Sequence, residues 1–382
     1  MKNWEVLLLS VILAGCATAP VTQQPEGLFS DHLFVAASER VSANDVFALS
    51  DEMRRYLNEE ITGLLRRNGR QQGLFDALYS KGQLKLEYDA VMTRNAAQTF
   101  AARSGNCLSL VIMTAAFAKE MGLPVTYQSA LLEEIWGRSG DIHFFIGHVN
   151  LTLGQHRSYL TLGRDESDLT IDFLSPYEIR GLRTRVVREE TIVAMYMNNR
   201  AAELFARGLV NDAYWWARAA IKQDPGFLSS YNTLGVIYKR HGNPAASEKV
   251  LTYALEREPA NTRVMFNLVP VLNELGRVAE AKVLADKLEK MEPDPAFSFF
   301  SRGLAAMQSE DFKTARDLFA KEVDRAPYYH EFHFWLAIAN LGLGDIEGAR
   351  KQMTIAIETS TTRKDQALYA AKLDRLNSYR SQ

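Results

Sequence analysis

The chain has 382 residues, 47% of them hydrophobic and 24% charged, a balance that excludes a disordered polymer and a protein buried throughout in a membrane. Its 44 Lys and Arg stand against 46 Asp and Glu, a formal net charge of −2, so no basic excess draws nucleic acid to it. The length exceeds what one ordinary core fills and predicts two or three domains.

The chain opens MKNWEVLLLSVILAGCATAP: one Lys, an apolar run from Val6 to Ala14, then small residues. The run is too short to span a bilayer and reads as a secretory signal. Its end, Leu13-Ala14-Gly15-Cys16, resembles the lipobox of bacterial lipoproteins. That resemblance implies a signal peptide over residues 1–15 and a diacylated Cys16 at the head of the mature chain. Acyl chains there bury enough methylene groups for stable membrane anchoring. Ala17, rather than Asp, after the lipidated Cys implies sorting to the outer membrane of the bacterial cell envelope, facing the periplasm, where the host is Gram-negative. Residues 16–27 then form the lipidated Cys and a polar, proline-containing tether.

From Ser42 to Gly69, a Ser cap, apolar residues at helical spacing and a terminal Gly predict a helix. GLFDALYSKGQL and NAAQTFAAR predict two more. The stretch SGNCLSLVIMTAAFAKEMGLPVTYQ follows, from Ser104 to Gln128. In it Gly105 supplies backbone freedom, Asn106 is a favourable helix cap, and Gly122 is a stop. Cys107 then lies in the first helical turn, close to unpaired amides and the positive end of the helix dipole, a setting that favours a thiolate. With Cys16 occupied by lipid, Cys107 has no disulfide partner.

Beyond Pro124 the period changes. VTYQSAL, HFFIGHVNLTL, SYLTL and LTIDFL read as strands, with GRSGD and GRDESD as turns. A helical block followed by strands predicts an α+β domain with a mostly antiparallel sheet. Alternation places His148, Asn150 and Thr152 on one strand face, while His143 reads as a loop residue after Gly140-Asp141. One thiol and scattered histidines without ligand spacing predict no metal, and the sparse glycines predict no nucleotide cofactor.

Gly105-Asn106-Cys107, Gly122-Leu123-Pro124, His148 in GHVNLTL and Asp172 in LTIDFLSP together resemble the transglutaminase-like (papain-like) cysteine enzymes over roughly residues 90–180. Asn150 departs from the family, which usually has an aromatic residue there. The resemblance implies that residues 28–185 form the domain, with an N-terminal helical block. It also implies an acyl-transfer triad. Cys107 attacks a carboxamide carbonyl, His148 carries the thiol proton to the leaving amine, and Asp172 orients the imidazole. The Cys107 amide meets the oxyanion, with Gln98 as a second donor by analogy. Hydrolysis and amine transfer both proceed from such a thioester.

From about residue 194 to residue 382 the sequence is helical and repeats. Pro225, Pro259, Pro293 and Pro327 lie 34 residues apart. Gly208, Gly242, Gly276 and Gly344 keep the same period with Glu310 in the gap, as do Ala213, Ala281, Ala315 and Ala349 with Ser247. The unit YNTLGVIYKRHGNPAASEKVLTYALEREP resembles the tetratricopeptide repeat. Tyr231, Leu234, Gly235 and Tyr238 match its first helix, and Ala254 and Pro259 match its second. That predicts about five helix pairs and a capping helix near RKDQALYAAKLDRLNSYR, with a groove for a protein or peptide. Trp215, Trp216 and PYYHEFHFWL are read as packing residues. Two functions follow: an anchored cysteine amidase or peptidase whose repeats recruit its substrate, or a catalytically inert scaffold.

Overall fold

A computed structural model describes residues 27–79, 84, 86–88, 92–130, 135–139, 142–146, 148–154, 168–173, 184–360 and 363–378. The leader, Cys16, the SYLTL segment and His156 lie outside these residues. Among the described residues, no helix is long and apolar enough to cross a membrane.

The first helix starts later than its sequence pattern suggests. Helix α1 (Asp51–Arg55) is capped by Ser50, whose side chain accepts from the Met53 amide, so the cap is Ser50 rather than Ser42. Residues 42–49 are drawn away by tertiary contacts: Val46 is fully buried and its carbonyl accepts from the Ala96 amide at 3.0 Å. A wide turn (Tyr56–Glu60) leads into α2 (Thr62–Asn68) and α3 (Arg70–Tyr79). A two-residue strand β1 (Glu87–Tyr88) pairs in parallel with β2 (Ser104–Gly105), and between them lies α4 (Ala96–Ala102).

Helix α5 (Cys107–Glu120) is apolar all round and buried from Cys107 to Ala118, as such a helix must be. Its buried hydroxyls are satisfied locally, Thr114 donating to the Leu110 carbonyl at 2.7 Å. Gly122, at φ +67, ends it, and the Leu123 amide reaches back to the Ala118 carbonyl. The chain enters β3 (Val125–Ala130), then a hairpin of β4 (Ile135–Ser139) and β5 (Ile142–Ile146), then β6 (Val149–Leu153), β7 (Leu169–Ile171) and β8 (Thr184–Val187).

The order β7-β6-β3-β8 makes an antiparallel four-stranded sheet, with Gln128 opposite Asn150 and Leu151 opposite Ile171. HFFIGHVNLTL is therefore not one strand. Its first half is β5, which pairs only with β4 among the described residues, and its second half joins the main sheet. His143 sits on β5 rather than in a loop.

The remainder is a solenoid of helix pairs: α6 (Glu189–Ala206) with α7 (Val210–Gln223), α8 (Ser229–Arg240) with α9 (Pro244–Arg257), and α10 (Thr262–Glu274) with α11 (Val278–Met291). Then come α12 (Ser298–Gln308) with α13 (Phe312–Arg325), α14 (His330–Gly342) with α15 (Ile346–Glu358), and a last helix α16 (Arg363–Ser378). Small residues sit where partner helices approach. A Cβ on Gly235 would lie 2.5 Å from Leu251, and one on Gly303 2.5 Å from Phe319. One apolar core runs unbroken from the α+β part through α5 and β6 into the first three helix pairs. The two parts share an interior.

The 34-residue glycine series has a backbone cause. Gly208, Gly242, Gly276 and Gly344 all turn between paired helices at φ between +76 and +79, and Glu310 fills the same turn at φ +57. A side chain in that region costs roughly 1 kcal/mol relative to glycine. Glu310→Gly is therefore expected to raise the unfolding free energy by about 1 kcal/mol. A urea midpoint that does not rise would show that the turn is relaxed around Glu310.

Candidate functional site

Cys107 is the first residue of α5 and 3% exposed. Asn106 holds extended backbone angles and its Oδ1 accepts from the Ser109 amide at 2.9 Å, so the helix starts at the thiol. Gly105 is required for a reason other than backbone freedom. It has no positive φ, but a Cβ there would lie 2.7 Å from Ser109 Cβ and 3.2 Å from Thr99 Cγ2. The absence of a side chain lets β2 cross the start of α5.

His148, fully buried, immediately precedes β6, and Asp172 immediately follows β7, the neighbouring strand. The sheet register therefore sets them side by side. His148 Nε2 lies 2.7 Å from Asp172 Oδ1, and the other carboxylate oxygen accepts from Asn150 Nδ2 at 2.7 Å. A carboxylate can only accept, so Nε2 carries the hydrogen and Nδ1 is turned elsewhere. Nδ1 forms no hydrogen bond of ordinary length among the described residues. The Cys107 thiol is nonetheless near enough to act on the ring.

Burial alone would lower the His148 pKa. The hydrogen bond to Asp172, then hydrogen bonding and charge from Cys107, then the Asp172 charge outweigh it and raise the pKa from 6.5 to about 9. Imidazole and carboxylate thus form one electrostatic pair. Asn150 holds Asp172 in place, a role its sequence position signalled only as a departure from a family pattern. Its own Oδ1 is buried without a partner among the described residues.

Gln98, the oxyanion donor suggested by analogy, has a capping role in the structure. It is an exposed residue in the first turn of α4, and its Oε1 accepts from the Asn95 amide at 3.2 Å while Asn95 Oδ1 accepts from Gln98. That reciprocal cap accounts for it. Among the described residues no three His, Cys, Asp or Glu side chains cluster as metal ligands.

The face of the first repeats is also occupied from within. Trp215 Nε1 donates to the Val35 carbonyl at 2.6 Å and Trp216 Nε1 to Glu39 at 2.8 Å. Tyr238 donates to the Leu28 carbonyl and accepts from the Ser30 amide, both at 2.9 Å. The two tryptophans and Tyr238 thus bind the N-terminal segment against α7 and α8.

These paired helices, small contact residues and recurring turns define a helical-repeat protein carrying a small antiparallel sheet elsewhere. Residues 232–292 and 300–361 match the family model described as tetratricopeptide repeat, and the chain carries such repeats there. Among solved structures it is similar to YrrB, a TPR protein with an unusual peptide-binding site, at 18% identity and TM-score 0.26, over 47% of this chain and 92% of that one. It is similar also to a thermophilic TPR protein of Thermus thermophilus, at 18% identity and TM-score 0.30, over 47% and 98% of the two chains. Pseudomonas aeruginosa pilF is 18% identical, with TM-score 0.30, over 51% and 88%. Among curated proteins, none matches the chain.

Proposed function

We propose that this chain is an envelope-anchored interaction protein whose repeat array binds a polypeptide partner. The observation that carries this reading is the repeat match over residues 232–292 and 300–361, because stacked helix pairs present an extended groove. Phe266 on α10 is 61% exposed. Its neighbour Asn267 donates to Asn232 of α8 at 2.9 Å, so this face is continuous from one unit to the next. A photoreactive phenylalanine analogue at position 266 is expected to crosslink a defined polypeptide in cells, and one replacing Leu368 on the last helix is not. Equal labelling from both positions would sink the reading.

A second reading is favoured by a separate observation, the Asp172–His148 pair at 2.7 Å with the free ring nitrogen turned from the carboxylate and the Cys107 thiol nearby. In this reading the domain resembles the transglutaminase-like cysteine enzymes in chemistry as well as motif. The Cys107 sulfur adds to an amide carbonyl carbon. The carbon–nitrogen bond then breaks, and the amine departs with the proton held by His148. Water attacks the thioester, releasing the acid and returning the proton to the thiol–imidazole pair.

The test is alkylation of Cys107 against pH in a protein that starts after Cys16, where it is the sole thiol. Rapid alkylation is expected to persist well below pH 8.5, the ordinary thiol range. His148→Ala is expected to abolish the acid-side reactivity. An ordinary profile, the same in both proteins, leaves the inert scaffold.

A further inference from the structure

Asn106, which caps the Cys107 helix, is itself held by the repeat array. Its Nδ2 donates to Thr93 Oγ1 at 2.9 Å, and the same oxygen accepts from Asn199 Nδ2 of α6 at 3.2 Å. The Thr93 amide donates to Glu203 Oε1, also on α6, at 2.6 Å, and the Thr93 hydroxyl bonds to that carboxylate. Arg200 holds the second Glu203 oxygen at 2.9 Å and reaches Glu39 at 3.2 Å. One residue further along, the Arg94 amide donates to Ser109 Oγ at 2.9 Å, and that hydroxyl donates to Asn106 Oδ1 at 2.8 Å.

The arrangement acts in one direction. A side-chain amide has a donor end and an acceptor end, and tying Nδ2 to Thr93 turns Oδ1 onto the first turn of α5. Thr93 is 2% exposed and lies outside any regular element, so its place comes from its partners. Apart from Asn106 itself, those partners belong to α6. Burial raises the Glu203 pKa, and it stays in the seam because the two Thr93 bonds and Arg200 oppose that effect. An apolar residue would fill a plain packing seam without that penalty.

We infer that α6, the first helix of the repeat region, is a positioning element of the Cys107 site, acting from Asn199 and Glu203 through Thr93 to the Asn106 cap. This rests on the cysteine-site reading. On it, the thiol is set jointly by both parts of the chain, and movement of α6 alters thiol reactivity through the Asn106 cap.

The experiment uses the chain that starts after Cys16, with wild type, Glu203→Ala, Glu203→Gln and Asn199→Ala. Glu203→Ala is expected to slow acid-side alkylation of Cys107 by three- to tenfold, on the order of one lost hydrogen bond, and to speed hydrogen exchange at the Ser109 amide. Glu203→Gln keeps an acceptor for Thr93 and is expected to restore most of both, which a general loss of packing would not do. Should Glu203→Ala fail to fold, Asn199→Ala, which removes one donor to Thr93, is expected to show the same changes in weaker form. Folded variants with wild-type alkylation profiles and wild-type Ser109 exchange overturn the inference. If His148→Ala leaves wild-type alkylation unchanged, the cysteine-site reading fails by itself. Ser109 exchange in Glu203→Ala then decides alone whether α6 positions the cap.

Discussion

Asp172→Asn is expected to lower the His148 pKa from about 9 toward its ordinary value, because it removes the carboxylate charge and weakens the hydrogen bond that oppose burial, while the influence of Cys107 remains. The substitution preserves shape. The new amide oxygen can still accept from His148 Nε2, and Asn150 can rotate its side-chain amide so that its unpartnered Oδ1 accepts from the new amide nitrogen. The experiment therefore isolates charge from geometry. His148 is raised in the folded state, so its stabilisation is fully present below its ordinary pKa of 6.5 and is lost as pH rises through about 9. A shift of that size corresponds to on the order of 3 kcal/mol. Urea unfolding of the wild type at pH 6 and pH 9.5 is expected to show most of that difference, and unfolding of Asp172→Asn a clearly smaller one. Parallel pH dependence in the two proteins would mean that Asp172 does not govern the imidazole.

The repeat region was legible because its signals are local and recurrent. A positive φ at the turn selects Gly208, Gly242 and Gly276, close approach selects Gly235 and Gly303, and each unit restates the same demand. Cys107, His148 and Asp172 each left a short mark in the sequence, at a helix start and beside two strands. Their proximity depends on the β6–β7 register, which no local pattern encodes. Asn150 and Thr93 were illegible for the same reason. An Asn on a strand and a Thr in a loop acquire their roles only from partners 22 and 110 residues away. Gln98 rested on analogy alone, and the cap it forms through Oε1 with the Asn95 amide was not read from the sequence. The late start of α1 shows the opposite error, helical periodicity overridden by burial of Val46.

Phe34→Ala is expected to lower the unfolding free energy by about 3–5 kcal/mol, the range for a buried Phe whose site cannot collapse. The ring is 7% exposed and stacks on Tyr214 at 3.9 Å with planes 3° apart, with His241 at 4.4 Å and Tyr238 at 5.8 Å. Around it, Asn211 and Asp212 of α7 accept from the Val35 and Ser38 amides, and Tyr214 and Arg218 hold Asp31. Asp31→Asn is the informative comparison. Its side chain is 43% exposed, so its pairing with Arg218 is worth under about 1 kcal/mol. Trp215 and Trp216 both donate to this segment, so urea unfolding followed by tryptophan fluorescence reads the seam directly. Equal losses from the two substitutions would mean that polar contacts, not the aromatic stack, hold the segment. A large loss from Phe34→Ala alone makes the stack the fastening.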